Sequence, residues 1–312
     1  MKALLTGAGG MLGRSIVRAW HDRRPDDELV QVARADIDLR DRAATAELFA
    51  REAPDLVIHA AAVIGGIAAK QAHPMRYLLE NLLIDSSVIA AGTAAVIPRM
   101  IYIGSAAAYP EHAAQPLTPD ALLTGALEPA NESYGLAKIA GIKLCELASA
   151  EFGVAYRVVM PSNLYGPDDH FDTGAGHMIA AALTKVAAAH AERAPSVAIW
   201  GDGQSRREFT YAPDLADWLV EQADEVDSWP AVMNVGVGVD HTIDHYYRTA
   251  AAVVGYEGAF VHDLDKPNGA RGRLLDSTPA RERGWAPPTS LHDGMSAAYA
   301  ALLDTSPDHD AR

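Results

Sequence analysis

The chain has 312 residues, with 26 Lys and Arg against 41 Asp and Glu, giving a formal charge of −15. Such an acidic surface offers no footprint for a nucleic-acid backbone or an anionic membrane, so an anionic ligand must be met by local cations. The 49% apolar and 21% charged fractions are those of a globular protein, long enough for two domains or one domain with a lobe. The sole cysteine, Cys145, cannot close an intrachain disulfide and reads as a buried small hydrophobe in a reducing compartment. No run approaches the roughly 18 apolar residues of a membrane span, and Met1 leads into an apolar run rather than a signal peptide. The expectation is a cytoplasmic protein.

The first predicted strand, residues 2–6, runs into Gly7-Ala8-Gly9-Gly10-Met11-Leu12-Gly13, after which Ile16, Val17, Ala19 and Trp20 fall at helical spacing. Apolar runs follow at 29–33, 55–60, 100–104, 156–160 and 197–200, with helical stretches at 42–52, 74–95 and 133–151 between them. Short continuous strands alternating with helices predict an α/β fold, a Rossmann-type doubly wound parallel sheet covered on both faces. After Met160 the pattern loosens: residues 161–167 read as a loop, and later segments are shorter and richer in Gly and Pro. The predicted division is a dinucleotide-binding domain at 1–164 plus about 205–237, a substrate-binding lobe at 165–204 and 238–303, and a frayed tail at 304–312.

A glycine turn between a strand and a helix lets the backbone approach a pyrophosphate and turns the helix's unpaired N–H groups toward it. At the end of the second strand Arg34 lies nearest the ribose position. It favours NADP(H), the alternative being a solvated arginine with Asp36 or Asp38 on the 2′-hydroxyl. Tyr134 and Lys138 in Ser133-Tyr134-Gly135-Leu136-Ala137-Lys138 are four apart and share a helix face. An adjacent ammonium favours phenolate, so Lys138 is expected to bring the tyrosine into acid–base range. Ser105 ends the strand at 100–104, where ligands of open sheets bind, and could hydrogen-bond a carbonyl that Tyr134 protonates as hydride arrives.

Together these segments resemble an extended short-chain dehydrogenase/reductase, and within it the GDP-L-fucose synthase group. The supporting stretches include Ala61-Ala62-Val63-Ile64-Gly65-Gly66-Ile67, Lys138-Ile139-Ala140-Gly141-Ile142-Lys143-Leu144-Cys145-Glu146, Met160-Pro161-Ser162-Asn163-Leu164-Tyr165-Gly166-Pro167, Arg207-Glu208-Phe209 and Leu274-Leu275-Asp276, spread over nearly the whole chain. The resemblance implies a catalytic set of Ser105, Tyr134, Lys138 and His177. It implies a cofactor site from Gly7, Gly10, Met11, Leu12, Gly13, Arg34, Asp38, Leu39, Ala60, Ala61, Ala62, Tyr134, Lys138, Pro161, Asn163, Leu164 and His177. Substrate contacts would come from Ser105, Ala106, Ala107, Asn163, Lys185, Trp200, Arg207 and Asp276. A homodimer through a pair of helices is implied as well.

Three departures stand out. A second phosphate-binding arginine of the family falls at Gly9, and a family arginine falls at Lys185, whose ammonium cannot reproduce a bidentate grip. The family's Gly-Ser-Ser-Cys-x-Tyr-Pro reads Gly104-Ser105-Ala106-Ala107-Ala108-Tyr109-Pro110 here, so the cysteine that moves protons in the family's C3 and C5 epimerisations is Ala107. His177 matches the family's other epimerisation residue. The expected activity is NADPH-dependent reduction of the C4 ketone of a GDP- or dTDP-linked 4-keto-6-deoxyhexose, with epimerisation lost. A bifunctional epimerase/reductase and an NADP-sensing binding protein are the alternatives. The run Asp168-Asp169-His170-Phe171-Asp172 reads as a solvated loop rather than a metal site, and no metal is expected. Arg207 beside Glu208 reads as a diphosphate ligand or a surface ion pair.

Overall fold

Alternate side chains of the first strand enter different cores. Leu4 joins one buried cluster while Ala3 and Leu5 join another, and all three are fully buried. A strand of period two with both faces covered has to be apolar throughout, which is why it reads as a continuous run. In the computed structural model, which describes residues 1–171, 177–266 and 272–305, this strand is β1 (Lys2–Thr6). It is followed by α1 (Met11–Arg23), β2 (Glu28–Val32), α2 (Arg42–Glu52), β3 (Leu56–His59), α3 (Ile67–Ala72), α4 (Pro74–Ala94), β4 (Arg99–Ile103), α5 (Glu132–Phe152) and β5 (Ala155–Pro161). The remainder runs β6 (Asn163–Tyr165), α6 (Met178–Ala191), β7 (Ser196–Trp200), β8 (Arg206–Arg207), β9 (Phe209–Tyr211), α7 (Ala212–Glu221), β10 (Val232–Val235), β11 (His241–Thr242), α8 (Ile243–Val254), β12 (Ala259–Asp263), α9 (Thr278–Arg281) and α10 (Leu291–Thr305).

Six strands form one parallel sheet in the order β10-β5-β4-β3-β1-β2. From β1 the chain moves out to β2, then returns to lay β3 along the other edge of β1. Strand order therefore reverses between β1 and β3, and a crevice opens beyond their carboxyl ends. One face is closed by α2, α4 and α5, where Leu48, Phe49, Val88 and Ile142 pack on Leu4, Val57 and Met100. The other is closed by α1 and α7, with Trp218 stacked on Trp229 at 5.4 Å and edge-on to Trp285 at 5.8 Å. A third cluster, with Tyr165, Leu183, Ile199, Phe209, Tyr246 and Met295, is built by β6, α6, β7, β9, α8 and α10.

The sequence placed α4 and α5 within a residue or two of their observed bounds. It missed β6, which pairs with β9 inside the segment taken as a loop, because three residues are too few to show a period. Residues 304 and 305, expected to belong to a frayed tail, are helical, since α10 reaches Thr305; residues 306–312 lie outside the described residues. Among the described residues no helix is long and apolar enough to cross a membrane.

Candidate active site

Both loops at the reversal point are shaped by glycine. Gly7 has φ +77°, and a Cβ there would lie 2.7 Å from the backbone nitrogen of Ala61, so the turn after β1 and the Ala60-Ala61-Ala62 segment after β3 touch through backbone. Gly13 packs against the Gly7 carbonyl, where no side chain fits. Gly10 starts α1 in extended conformation with no side chain capping the first N–H groups, and the first turn carries no acid. Met11 is half-buried and Leu12 buried, leaving the helix N-terminus open to an anion. This cradle fits a dinucleotide pyrophosphate. Arg14 Nε donates to the Gly9 carbonyl at 3.0 Å, placing a guanidinium beside the turn that lacks the family's arginine.

At the end of β2, Arg34 is exposed while the nearby acids are engaged. Asp36 accepts from the Ala33 N–H at 2.7 Å, and Asp38 is gripped by Arg40 at 2.8 Å, which holds its carboxyl down to about 2. That pairing leaves Asp38 poorly placed to serve the ribose hydroxyl. Leu39 is buried in the core below.

The chemistry-bearing groups converge at the neighbouring strand end. Ser105 follows β4 and caps a short 3-10 turn, its Oγ accepting from the Ala107 N–H at 3.2 Å. That turn packs on the start of α5, where a side chain at Gly135 would strike the Ala107 carbonyl. Tyr134 is therefore brought near Ser105, whose hydroxyl works to lower the pKa of its phenol. Lys138, one turn on, places its Nζ 6.0 Å from the Tyr134 ring centre. The expected fall in the tyrosine's pKa is not what the environment produces. Burial pushes the phenol above its ordinary value; Lys138 and Ser105 work to lower it, and Asp85 opposes them. The group is a protonated acid at neutral pH.

Cations gather around this acid. Lys70 of α3 hydrogen-bonds Asn131, and its Nζ sits 5.7 Å from the Tyr134 ring centre. Arg273, almost fully buried, donates to the Ala106 carbonyl at 2.9 Å and to Glu128 at 3.2 Å, and both Lys70 and Arg207 feel the Glu128 and Arg273 charges. Burial depresses the ionisation of Lys70 and Arg207. Three cations around one carboxylate give an acidic protein a local positive site. In the lobe, Lys185 Nζ lies 4.8 Å over Trp200, which is 54% exposed, and Lys266 Nζ lies 5.5 Å from it. Pro161 is buried at the end of β5, Leu164 is partly buried and Asn163 is exposed beyond them. Asp276 hydrogen-bonds Thr278 at 2.6 Å, which occupies it locally.

Two readings of the sequence are corrected. Asp168 and Asp169 do not lie in a solvated loop: Asp168 pairs with Arg18 at 2.5 Å, and buried Asp169 binds His177 Nδ1 at 2.9 Å. Asp172 lies outside the described residues, and among those described no group of acids, His or Cys could hold a metal. Glu208 is no surface partner for Arg207; it is fully buried and accepts the Gly238 and Leu275 N–H groups at 2.6 and 2.9 Å.

With this geometry in hand, residues 3–236 match the NAD dependent epimerase/dehydratase family. The chain belongs to that family. Among curated members it is 39% identical to the GDP-L-colitose synthase of Yersinia pseudotuberculosis, over 97% of this chain and 98% of that one. It is 40% identical to the GDP-L-fucose synthase of Escherichia coli (strain K12), over 97% of both. A solved GDP-mannoheptose C4 reductase from Campylobacter jejuni with NADP bound superposes with a TM-score of 0.88 at 28% identity, covering 97% of this chain and 98% of that one. The extended short-chain dehydrogenase/reductase resemblance and the Rossmann-type fold read from the sequence are borne out. Sequence reasoning missed Lys70, Asp85, Glu128, Asp169 and Arg273 as parts of the site. Their partners lie in other elements, and only the stretch Leu127-Glu128-Pro129-Ala130-Asn131-Glu132 around Glu128 gave any local signal.

Proposed function

We propose that this member of the family is an NADPH-dependent reductase of the C4 ketone of a GDP-linked 4-keto-6-deoxyhexose, with a dTDP-linked substrate as the variant that Lys185 leaves open. The observation that carries the reading is the convergence of Tyr134 with Ser105 and with Lys138, whose Nζ lies 6.0 Å from the Tyr134 ring centre, beyond the sheet's carboxyl ends near the glycine turn, where burial keeps the phenol protonated. NADPH, when bound, supplies the hydride to C4. Ser105 orients the ketone oxygen, Tyr134 gives it a proton, and Lys138 stabilises the phenolate left behind. Gly7, Gly10, Gly13 and the start of α1 hold the pyrophosphate, and exposed Arg34 takes the 2′-phosphate in preference to NAD.

The domain at 1–164 and about 205–237 holds the dinucleotide, and the lobe at 165–204 and 238–303 holds the nucleotide sugar. Trp200 with Lys185 covers its base or sugar, while Arg207 meets the diphosphate. Ala107 supplies no proton-transferring atom where the family has a thiol, so C3 and C5 keep their configuration and His177 binds or orients the sugar. Turnover of a GDP-4-keto-6-deoxyhexose in deuterium oxide tests this: NADPH is oxidised with no deuterium at C3 or C5. Incorporation at both positions in step with turnover establishes the bifunctional epimerase/reductase instead. Tight NADPH binding with no reduction of any keto sugar establishes a sensor.

The enzyme works as a cytoplasmic homodimer. Met75, Leu79 and Leu83 on α4 and Leu136, Leu144 and Leu147 on α5 are exposed apolar residues, with Met75 75% and Leu147 62% accessible, on two helices that pack side by side. A face of that kind supports pairing across a two-fold axis. Sedimentation at micromolar concentration giving the monomer mass removes the dimer from the reading.

A further inference from the structure

Asp85 of α4 is a carboxylate that the chemistry above leaves unused, and it is 1% exposed. Side chains from three elements close on it. Tyr102 Oη from β4 donates to Oδ2 at 2.6 Å, His59 Nε2 from β3 lies 3.1 Å from Oδ1, and Lys138 Nζ from α5 lies 3.5 Å from Oδ2. The far side of the imidazole is also engaged, with Nδ1 2.7 Å from Thr6 Oγ1. An imidazole that donates to the carboxylate from Nε2 accepts from the threonine hydroxyl at Nδ1, so the pair fixes one neutral tautomer. Lys138 Nζ additionally lies 4.6 Å over the Tyr102 ring. Thr6 and His59 end β1 and β3, directly before Gly7 and Ala60.

The geometry points to Asp85 as a positioning residue for the reduction: its carboxylate fixes the Lys138 ammonium beside Tyr134 and limits how strongly that charge acts on the phenol. A lysine side chain that is 2% exposed cannot keep its charge without a counter-charge, and among the described residues Asp85 is the carboxylate paired with it. Burial works to raise Asp85, yet Lys138, His59 and Tyr102 together hold it below the ordinary carboxylate range, so it stays charged. At Tyr134 burial raises the phenol, Lys138 lowers it and Asp85 raises it again. The groups facing Asp85 are His59 from β3, Tyr102 from β4, and Lys138 and Cys145 from α5, and Tyr134 is also faced by Lys70 from α3. His59 is kept neutral by burial. The network thus runs from the strand end before the glycine turn to the catalytic lysine without reaching solvent.

The test has two parts, of which only the kinetic one rests on the ketoreductase reading. Without the carboxylate, the Lys138 charge acts on the phenol unopposed, which removes the acid form of Tyr134 at lower pH. Asp85→Asn is expected to move the alkaline limb of the reductive kcat/KM profile down by about one pH unit or more. Asp85→Glu, which keeps the charge, leaves that limb in place. A rate that falls equally at every pH, with the limb unmoved, overturns the proposal. In thermal melting, which needs no substrate, Asp85→Asn and Lys138→Met each lower the midpoint, and the double variant recovers most of the loss. Additive losses overturn the pairing. Should Asp85→Asn alone not fold, the double variant folding and melting at or above Lys138→Met supports the proposal, and its failure to fold overturns it.

Discussion

His177 Nδ1 lies 2.9 Å from Oδ1 of Asp169, whose side chain is 3% exposed, while the imidazole itself is about one-third exposed. The buried carboxylate fixes the ring through Nδ1 at the start of α6 and leaves the imidazole partly exposed. The same loop is tied to α1 by Asp168 with Arg18 and Arg14, so the imidazole's position depends on the helix that carries the glycine turn. A sugar-binding role predicts that His177→Ala raises KM for the nucleotide sugar about 3–10-fold with kcat little changed, the loss of one hydrogen bond. Asp169→Asn moves KM the same way. Steady-state kinetics check both, and a collapse of kcat at unchanged KM means that His177 takes part in the chemistry.

Arg34 is exposed beside acids already bound elsewhere. Arg34→Ala is expected to raise KM for NADPH about 10–100-fold, the loss of a charge-assisted contact to phosphate, and to leave KM for NADH nearly unchanged. Equal effects on the two cofactors place the 2′-phosphate elsewhere.

Trp200 with Lys185 and Lys266 forms an exposed aromatic surface flanked by two ammonium groups. Trp200→Ala should weaken binding of the nucleotide sugar by roughly tenfold, in line with a lost stacking and cation–π contact, while NADPH affinity stays the same. Calorimetric titration with GDP separates the two ligands.

Glu208 joins β8 and β9 to the loops at 236–238 and 275 through backbone donors, and burial pushes its carboxyl up to about 7. In the unfolded chain the same group ionises near 4.5. Between these values the folded state binds more protons than the unfolded, so the contribution of Glu208 to stability is lost as pH rises through that window. Glu208→Gln has no proton to lose. Its stability relative to the parent should therefore rise between pH 5 and pH 8, by on the order of 3 kcal/mol. Urea unfolding at the two pH values measures the gap, and a gap that does not change with pH contradicts the assignment.

The sheet and its flanking helices were legible because parallel strands buried on both faces are apolar over a continuous run, as at Leu56, Val57 and Ile58 of β3, and because α4 and α5 are long enough to show their period. The glycine turn, Ser105 and the Tyr134/Lys138 pair were legible through order and spacing. The ionisation of Tyr134 was not. Its direction depends on burial and on Asp85, which lies on another helix 53 residues before Lys138. The two-residue pairing of β8 with β11 left no pattern to read, and the Asp169–His177 contact spans a segment with no regular period. Contacts between groups distant in the chain carry no local signature, and the support behind the candidate catalytic side chains is made largely of them.

The most direct test of the proton donor is Tyr134→Phe, which removes one hydroxyl and leaves the ring close to the Lys70 and Lys138 ammonium groups. NADPH oxidation with a GDP-4-keto-6-deoxyhexose should slow by about 10²–10⁴-fold at pH 7, with NADPH binding by fluorescence titration unchanged. A variant that turns over as fast as the parent contradicts the assignment of Tyr134 as the acid.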